Sequence, residues 1–218
     1  MKSIFVKQLI IASLAVAITS SVVETSKTTS PSPSIDHITA TIDECCEWLN
    51  DDVDNVKLSF WTGKERIVIA TGNLKNGGFT IDLPKTIDSK YLESVTDFKW
   101  ETPVTFSNNK AKILTDYLYN STYVLSYNKN DDFITRIGIF SVNEYGETGD
   151  YSVKHVYADS DVNISGTGKD QYGKEYIYSL ILKMGWNIVY EDSTEDNKTT
   201  VTSELKASKV ATLPKTIQ

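Results

Sequence analysis

Hydrophobic and polar residues alternate along most of the chain in short runs bounded by Gly, Asn, Asp or Pro. Alternation with a period of two places successive side chains on opposite faces of a β-strand. Tyr, Val, Ile and Thr, which favour strands, dominate these runs. The predicted strands, apart from one hairpin described next, are 98–106, 112–119, 122–127, 133–142, 151–158, 174–184, 186–190 and 199–205.

The clearest local signal lies in 66–84, RIVIATGNLKNGGFTIDLP. Asn76-Gly77 suits the two positive-φ positions of a type I′ turn, which predicts a β-hairpin. Counted outward from that turn, the predicted cross-strand pairs are Leu74–Phe79, Gly72–Ile81 and Ala70–Leu83. These residues, continued by Val68, form one apolar face. Pro84 ends the second strand, and a single helical turn is predicted within 88–95.

Many short strands separated by turns predict an all-β fold, an antiparallel β-sandwich. We expect it to occupy 35–218, either as one domain or as two packed modules that divide near 108–111. Residues 35–50 are ambiguous, because apolar residues recur there at spacings of three and four and also alternate at Ile38, Ala40 and Ile42. We favour a short N-terminal helix that ends near Asn50.

The first 34 residues differ from the rest. Residues 1–18 combine Lys2 and Lys7 with an uncharged apolar run of about ten residues, too short to span a bilayer and typical of a signal peptide. Residues 19–34 are rich in Ser, Thr and Pro, which predicts a flexible tether. No Cys follows the apolar run, so no lipid-attachment site is expected. The chain is therefore predicted to be secreted, periplasmic or displayed at the cell surface, and not to span a membrane.

The hairpin at 66–84 resembles those of transthyretin-like or carboxypeptidase-regulatory-like β-sandwich modules. In these modules an apolar-x-Ala-x-Gly strand turns through Asn-Gly into Phe-x-apolar-x-Leu. The whole layout, including the late Gly185-Trp186-Asn187, also resembles secreted proteins of unknown function from gut Bacteroidetes. This resemblance implies a β-sandwich in a bacterial envelope or secreted protein that binds or supports its neighbours, and it supplies no catalytic residue.

Composition narrows the possible functions. The 218 residues include 22 basic and 29 acidic side chains, for a formal charge of −7. Removing a leader that holds two lysines and no acid would make the charge −9. An acidic chain argues against nucleic-acid binding, because phosphate contacts need clustered Lys and Arg. Two His and two Cys leave little material for metal or thiol chemistry.

The two cysteines, Cys45 and Cys46, are adjacent. Outside the cytosol they could close a vicinal disulfide, although such a ring is strained. Alternatively, one thiol packs against the core while the other is exposed and cross-links two copies of the chain.

Asp159, Asp161 and Asn163 alternate like the first ligands of a calcium loop. Ile164, however, occupies the position at which such a loop needs Gly, and the bidentate Glu is absent. Calcium is the only cofactor that the sequence suggests, and solvated acidic turns explain the same pattern.

No catalytic constellation is evident. A hydrolytic triad needs a His, and the chain has only His37, at the tether boundary, and His155, which we expect to be an exposed residue on a strand. A pair of carboxylates could hydrolyse glycosides, but 29 acids make any pair uninformative without geometry.

Aromatic residues are the remaining candidates for function, because aromatic side chains stack on sugars and on partner proteins. The candidate ligand-binding residues, all near predicted strand ends or turns, are Trp61, Trp100, Trp186, Tyr172 and Tyr176. The alternative is that the tryptophans fill the core. The sequence thus predicts a non-enzymatic protein that binds a polysaccharide or a protein partner. A structural or adhesive envelope component and a glycoside-active hydrolase are the alternatives.

Overall fold

A computed structural model describes seven segments of the chain: 34–42, 53–62, 64–115, 122–142, 148–193, 197–204 and 210–215. The predicted signal peptide, nearly all of the tether, and Cys45-Cys46 lie outside these segments. The described residues form β-strands and one short 3-10 helix, Ser89–Tyr91, which falls within the predicted helical turn. None of their helices is long and apolar enough to cross a membrane.

The strands are β1 (His37–Ile42), β2 (Asn55–Trp61), β3 (Arg66–Lys75), β4 (Gly78–Asp82), β5 (Glu93–Ser94), β6 (Thr105–Phe106), β7 (Lys112–Leu114), β8 (Thr122–Tyr127), β9 (Phe133–Val142), β10 (Thr148–Ala158), β11 (Val162–Lys169), β12 (Glu175–Leu182), β13 (Gly185–Asp192), β14 (Lys198–Thr202) and β15 (Val210–Lys215). The predicted all-β class is confirmed.

The strands form two packed sheets that hydrogen bonds between β9 and β10 connect. The first follows the order β15-β1-β4-β3-β2-β8-β9, and β15 also pairs with β9, which closes the ring. The second follows β10-β13-β14-β12-β11-β6, with β7 beside β10 and β5 beside β7. Most pairs are antiparallel, but β1–β15 and β12–β14 are parallel. The predicted antiparallel pairing therefore holds for most strands, and the sheets are mixed at these two pairs.

Strands β10 and β13 are buried on both faces. Val153 and Tyr157 of β10 point into a first core, which the first sheet completes. Val156 and Ala158 alternate with them and point into a second core, built with β11, β12 and β14. The two cores thus lie on opposite sides of one pair of strands. The predicted division near 108–111 stays a prediction.

The predicted hairpin is confirmed at its turn, but the predicted strand pairs farther from the turn are not formed. Asn76 and Gly77 both have positive φ, 52° and 75°, as a type I′ turn requires. Leu74 pairs with Phe79 as predicted, but the β3–β4 ladder ends at the next pair, Asn73–Thr80. The predicted pairs Gly72–Ile81 and Ala70–Leu83 are absent from this ladder.

Val68 is exposed, contrary to the prediction that it continues the apolar face. The β2–β3 register shifts between Leu58, which pairs with Ala70, and Ser59, which pairs with Val68. Such a bulge adds one residue to β3 and reverses which side chains face the core.

The N-terminal helix is a wrong prediction for the described part of its range. Residues 37–42 form β1, in which Ile38 pairs with Ile81 and Ala40 with Phe79. Ile38 and Ala40 are both buried. The alternating pattern decides the structure here because β4 offers a partner strand that propensity alone cannot reveal. Residues 43–50 lie outside the described segments.

Gly72 is required by close packing between β3 and β4. A Cβ at this position would overlap the backbone carbonyl oxygen of Thr80 and crowd the Ile81 side chain. We expect Gly72→Ala to lower the free energy of unfolding by about 2 kcal/mol or more, because backbone must move to relieve the clash. Urea denaturation measures the loss, and Thr71→Ala, at an exposed position on the same strand, is the control. Equal stabilities of the two variants would contradict the packing argument.

Candidate functional site

A cleft of about 470 Å³ opens where the two cores meet. We call it the aromatic cleft. Its lining residues are Phe60, Trp61, Thr62, Lys90, Tyr91, Leu92, Glu93, Ser94, Asp97, Phe98, Lys112, Ile113, Leu114 and Thr115. Four aromatic rings and four charged side chains therefore share one concave surface, the usual shape of a small-ligand site.

The end of strand β2 supplies one side of the cleft. Phe60 packs into the first core, while its neighbour Trp61 is exposed. The turn that follows is held by hydrogen bonds: the Thr62 backbone N–H donates to the Glu65 carbonyl at 2.9 Å, and the Thr62 hydroxyl accepts from the Glu65 N–H at 3.2 Å. The backbone beside Trp61 is therefore fixed.

The short 3-10 helix supplies another part of the wall. The carboxylate of Asp88 accepts from the backbone N–H of Lys90 at 3.1 Å and caps this helix. Tyr91 then lies edge-on to Phe60, with ring centroids 5.1 Å apart, and the Lys90 Nζ sits 4.6 Å from the Tyr91 centroid. Tyr91 is thus positioned by contacts on two sides.

Charge at this wall is locally balanced. The Lys90 Nζ lies 3.0 Å from the Asp88 carboxylate. The backbone and side-chain hydrogen bonds from Lys90 lower the pKa of Asp88, and the carboxylate in turn raises the pKa of Lys90. Both groups are solvent-exposed, so the pair positions Lys90 more than it stabilises the fold.

Strands β5 and β7 carry further polar groups into the cleft. Glu93 pairs with Ile113, and Ser94 with Lys112. Glu93, Asp97 and Lys112 all line the cleft. Carboxylates and ammonium groups beside aromatic rings can hydrogen-bond a polyhydroxylated ligand while the rings contact its apolar faces.

Trp186 is a core residue. Its side chain is 2% exposed, its Nε1 donates to the Pro84 carbonyl at 2.9 Å, and its ring meets Tyr157 edge-on at 5.5 Å. The core alternative therefore applies to most of this side chain. Trp186 also borders a separate cleft beside Pro84 and Met184, and its role as a ligand contact stays a prediction.

Trp100 is half-buried against the second core. Its Nε1 donates to the Val95 carbonyl at 2.9 Å, and its ring contacts Phe98 at 4.8 Å and Tyr178 at 5.2 Å. It stands behind Phe98, which lines the cleft, but is not itself a lining residue of the cleft.

Tyr172 and Tyr176 belong to the β11–β12 hairpin and do not line the aromatic cleft. Tyr172 is exposed at the turn, where the Asp170 carboxylate accepts from its N–H at 2.8 Å. Tyr176 stacks on Tyr178 at 6.5 Å. Desolvation, with nearby Glu101 and other acids, raises the pKa of Tyr176. Of the five predicted aromatic residues, only Trp61 lines the aromatic cleft, so the five do not form one site.

The two aspartates of the predicted calcium loop, Asp159 and Asp161, bond other groups of the protein. Asp159 accepts from the backbone N–H of Lys112 at 2.9 Å, and Asp161 pairs with the Lys183 Nζ at 2.8 Å. The hydrogen bonds from Lys183 and Met184 lower the pKa of Asp161. Asn163 is exposed on β11. No group of three or more His, Cys, Asp or Glu that could hold a metal occurs in the described segments, so the calcium prediction gains no support.

His155 is buried, which corrects the expectation of an exposed residue on a strand. It is 5% exposed on β10, opposite Ile188. Burial, with a smaller effect of Lys154, lowers the pKa of His155 to about 4. His37 lies instead at the start of β1 against Asp36.

Sequence analysis missed Tyr91 and Phe98, which complete the aromatic cleft. Tyr91 lies within the predicted helical turn and Phe98 follows it. Neither lies in a strand, and the approach of the 89–98 segment to β2 depends on long-range packing. The only sequence signal was the density of aromatic residues.

No family model, no curated protein and no solved structure matches this chain.

Proposed function

We propose that the protein is a secreted or envelope-associated, non-enzymatic β-sandwich protein that binds a polysaccharide in the aromatic cleft. Trp61 is the observation that carries this proposal, because it is a large aromatic side chain left exposed at a concave site. Exposing such a ring forgoes the free energy of burying it, which is typical of binding surfaces.

The chemistry of the cleft suits a carbohydrate. Sugar rings present C–H groups on one face, which pack against aromatic rings, and hydroxyls at their edges. Trp61 and Tyr91 supply the rings, while Glu93, Asp97 and Lys112 supply acceptors and donors. Because Tyr91 is already held by Phe60 and Lys90, little conformational entropy is lost on binding.

The proposal that the protein is exported is supported by the sequence of its first 34 residues. Residues 1–18 have the charge and length of a signal peptide, and the Ser/Thr/Pro-rich 19–34 could hold the folded part away from a surface. The acidic balance of the chain favours solubility.

Trp61→Ala is expected to weaken polysaccharide binding about tenfold or more, because stacking and area burial at the cleft mouth are lost. Affinity electrophoresis in gels that contain β-glucan, xylan, galactomannan or pectin measures the retardation. Tyr172→Ala is the matched control, since it removes an exposed aromatic side chain outside the cleft.

The two variants separate the possible sites. Lost retardation in Trp61→Ala with wild-type retardation in Tyr172→Ala supports the cleft. The opposite result would move the site to the β11–β12 turn, and no retardation of the wild type by any of these polysaccharides would count against a polysaccharide ligand.

A further inference from the structure

Trp61 belongs to a second exposed surface as well as to the aromatic cleft. Arg66 pairs with Trp61 across the β2–β3 ladder. The Arg66 guanidinium carbon lies 5.9 Å from the centroid of the Phe133 ring on β9. Val68 follows Arg66 two residues along β3, and both are exposed. We call these four residues, Trp61, Arg66, Val68 and Phe133, the exposed strip.

The exposed strip holds three of the five large hydrophobic side chains that are exposed among the described residues. Trp61, Val68 and Phe133 are 42%, 47% and 43% exposed, and the other two are Tyr172 and Met184. Arg66 links the strip, because it is the ladder partner of Trp61 and its guanidinium lies near the ring of Phe133. Contiguous exposed apolar residues mark an interaction surface, whereas scattered ones do not.

The strip is ordered by contacts beneath and beside it. Phe133 meets Tyr127 edge-on at 6.0 Å, and Tyr127 in turn lies 4.3 Å from the Lys57 Nζ. Arg66 forms no ion pair with any acidic side chain in the described segments. Its guanidinium N–H groups can therefore donate to a ligand between the two aromatic rings.

We propose that the ligand is an extended glycan chain that runs from the aromatic cleft across Trp61 to Phe133. This inference rests on the proposed function. Trp61 is the shared contact, Phe133 is a second stacking platform, and Arg66 hydrogen-bonds hydroxyl or acidic groups between them. A glycan is favoured over a protein partner because the strip continues a concave cleft that carries both aromatic and hydrogen-bonding groups.

An extended site makes affinity depend on chain length, because each occupied platform adds contact energy. For the polysaccharide that retards the wild type most, oligosaccharides from disaccharide to octasaccharide are titrated by calorimetry. Affinity is expected to rise with length beyond the trisaccharide.

Phe133→Ala should weaken octasaccharide binding about fivefold and leave disaccharide binding unchanged, as expected for one lost stacking contact. Arg66→Gln should also weaken octasaccharide binding. Trp61→Ala should weaken the binding of both the disaccharide and the octasaccharide.

Two controls keep the test decisive. Tyr172→Ala removes an exposed aromatic side chain elsewhere and should leave every affinity unchanged, and circular dichroism checks that each variant is folded. An affinity that stops rising at or before the trisaccharide would overturn the extended chain, and so would a Phe133→Ala variant that binds all lengths normally. In either case, weaker binding by Trp61→Ala would still support the cleft. If the wild type bound no glycan at any length, the proposed function would fail together with this inference.

Discussion

At about pH 5 the protein should be about 2 kcal/mol less stable than at about pH 7.5 through His155 alone. His155 is almost fully buried on β10, and burial lowers its pKa to about 4. In the unfolded chain the same imidazole titrates at about 6.5. Between these two values the unfolded state binds a proton that the folded state excludes.

The direction of the stability change with pH follows from that difference in proton binding. His155 contributes its full share of stability when it is neutral in both states, above about pH 6.5. That share of the free energy of unfolding is lost as the pH falls. The loss reaches about 3 kcal/mol near pH 4. Asp88 and Asp161 have lowered pKa values but are exposed, so their contributions are small and are lost as the pH falls from the usual carboxylate range downward.

His155→Leu isolates this contribution. Urea denaturation at pH values from about 7.5 to about 5 should show that the variant loses about 2 kcal/mol less than the wild type across this interval. His37→Gln, which changes an exposed histidine, is the control and should keep the wild-type dependence. Parallel stability curves for the wild type and His155→Leu would show that His155 binds a proton as readily in the folded as in the unfolded state, which would contradict the lowered pKa.

His155 also shows where sequence reasoning reached its limit. Alternation correctly placed it on a strand beside Val153 and Tyr157, but alternation cannot tell how many sheets cover that strand. Both faces of β10 are covered, because β13 and the two cores surround it. A strand buried on both faces buries its polar residues as well, and their pKa values shift accordingly.

Local signals succeeded where the interaction itself is local. The turn at Asn76-Gly77 could be predicted, because these two residue types themselves favour positive φ. The bulge at Val68 and the strand at 37–42 depend on partners distant in sequence, so neither could be deduced from the local pattern. The aromatic cleft is non-local in the same sense, since Trp61 and Tyr91 line one cleft only because of the packing of the cores.

The two tryptophans that sequence analysis treated alike should respond very differently to truncation. Trp186→Ala is expected to lower the free energy of unfolding by about 3–5 kcal/mol, because it removes a fully buried indole and leaves a cavity. It also leaves the Pro84 carbonyl without its donor and removes the contact with Tyr157. Trp61→Ala should cost less than about 1 kcal/mol, since its side chain is exposed.

Trp186→Phe separates the two causes of the loss. Phenylalanine keeps most of the apolar volume but cannot donate to Pro84, so a loss of about 1–3 kcal/mol is expected from the hydrogen bond and the smaller ring. Urea denaturation of the three variants gives the comparison. Similar losses in Trp61→Ala and Trp186→Ala would contradict the assignment of one residue to the surface and the other to the core. With a total stability of about 5–15 kcal/mol typical of a domain, Trp186→Ala brings the protein close to unfolding, whereas Trp61 can be changed to test binding alone.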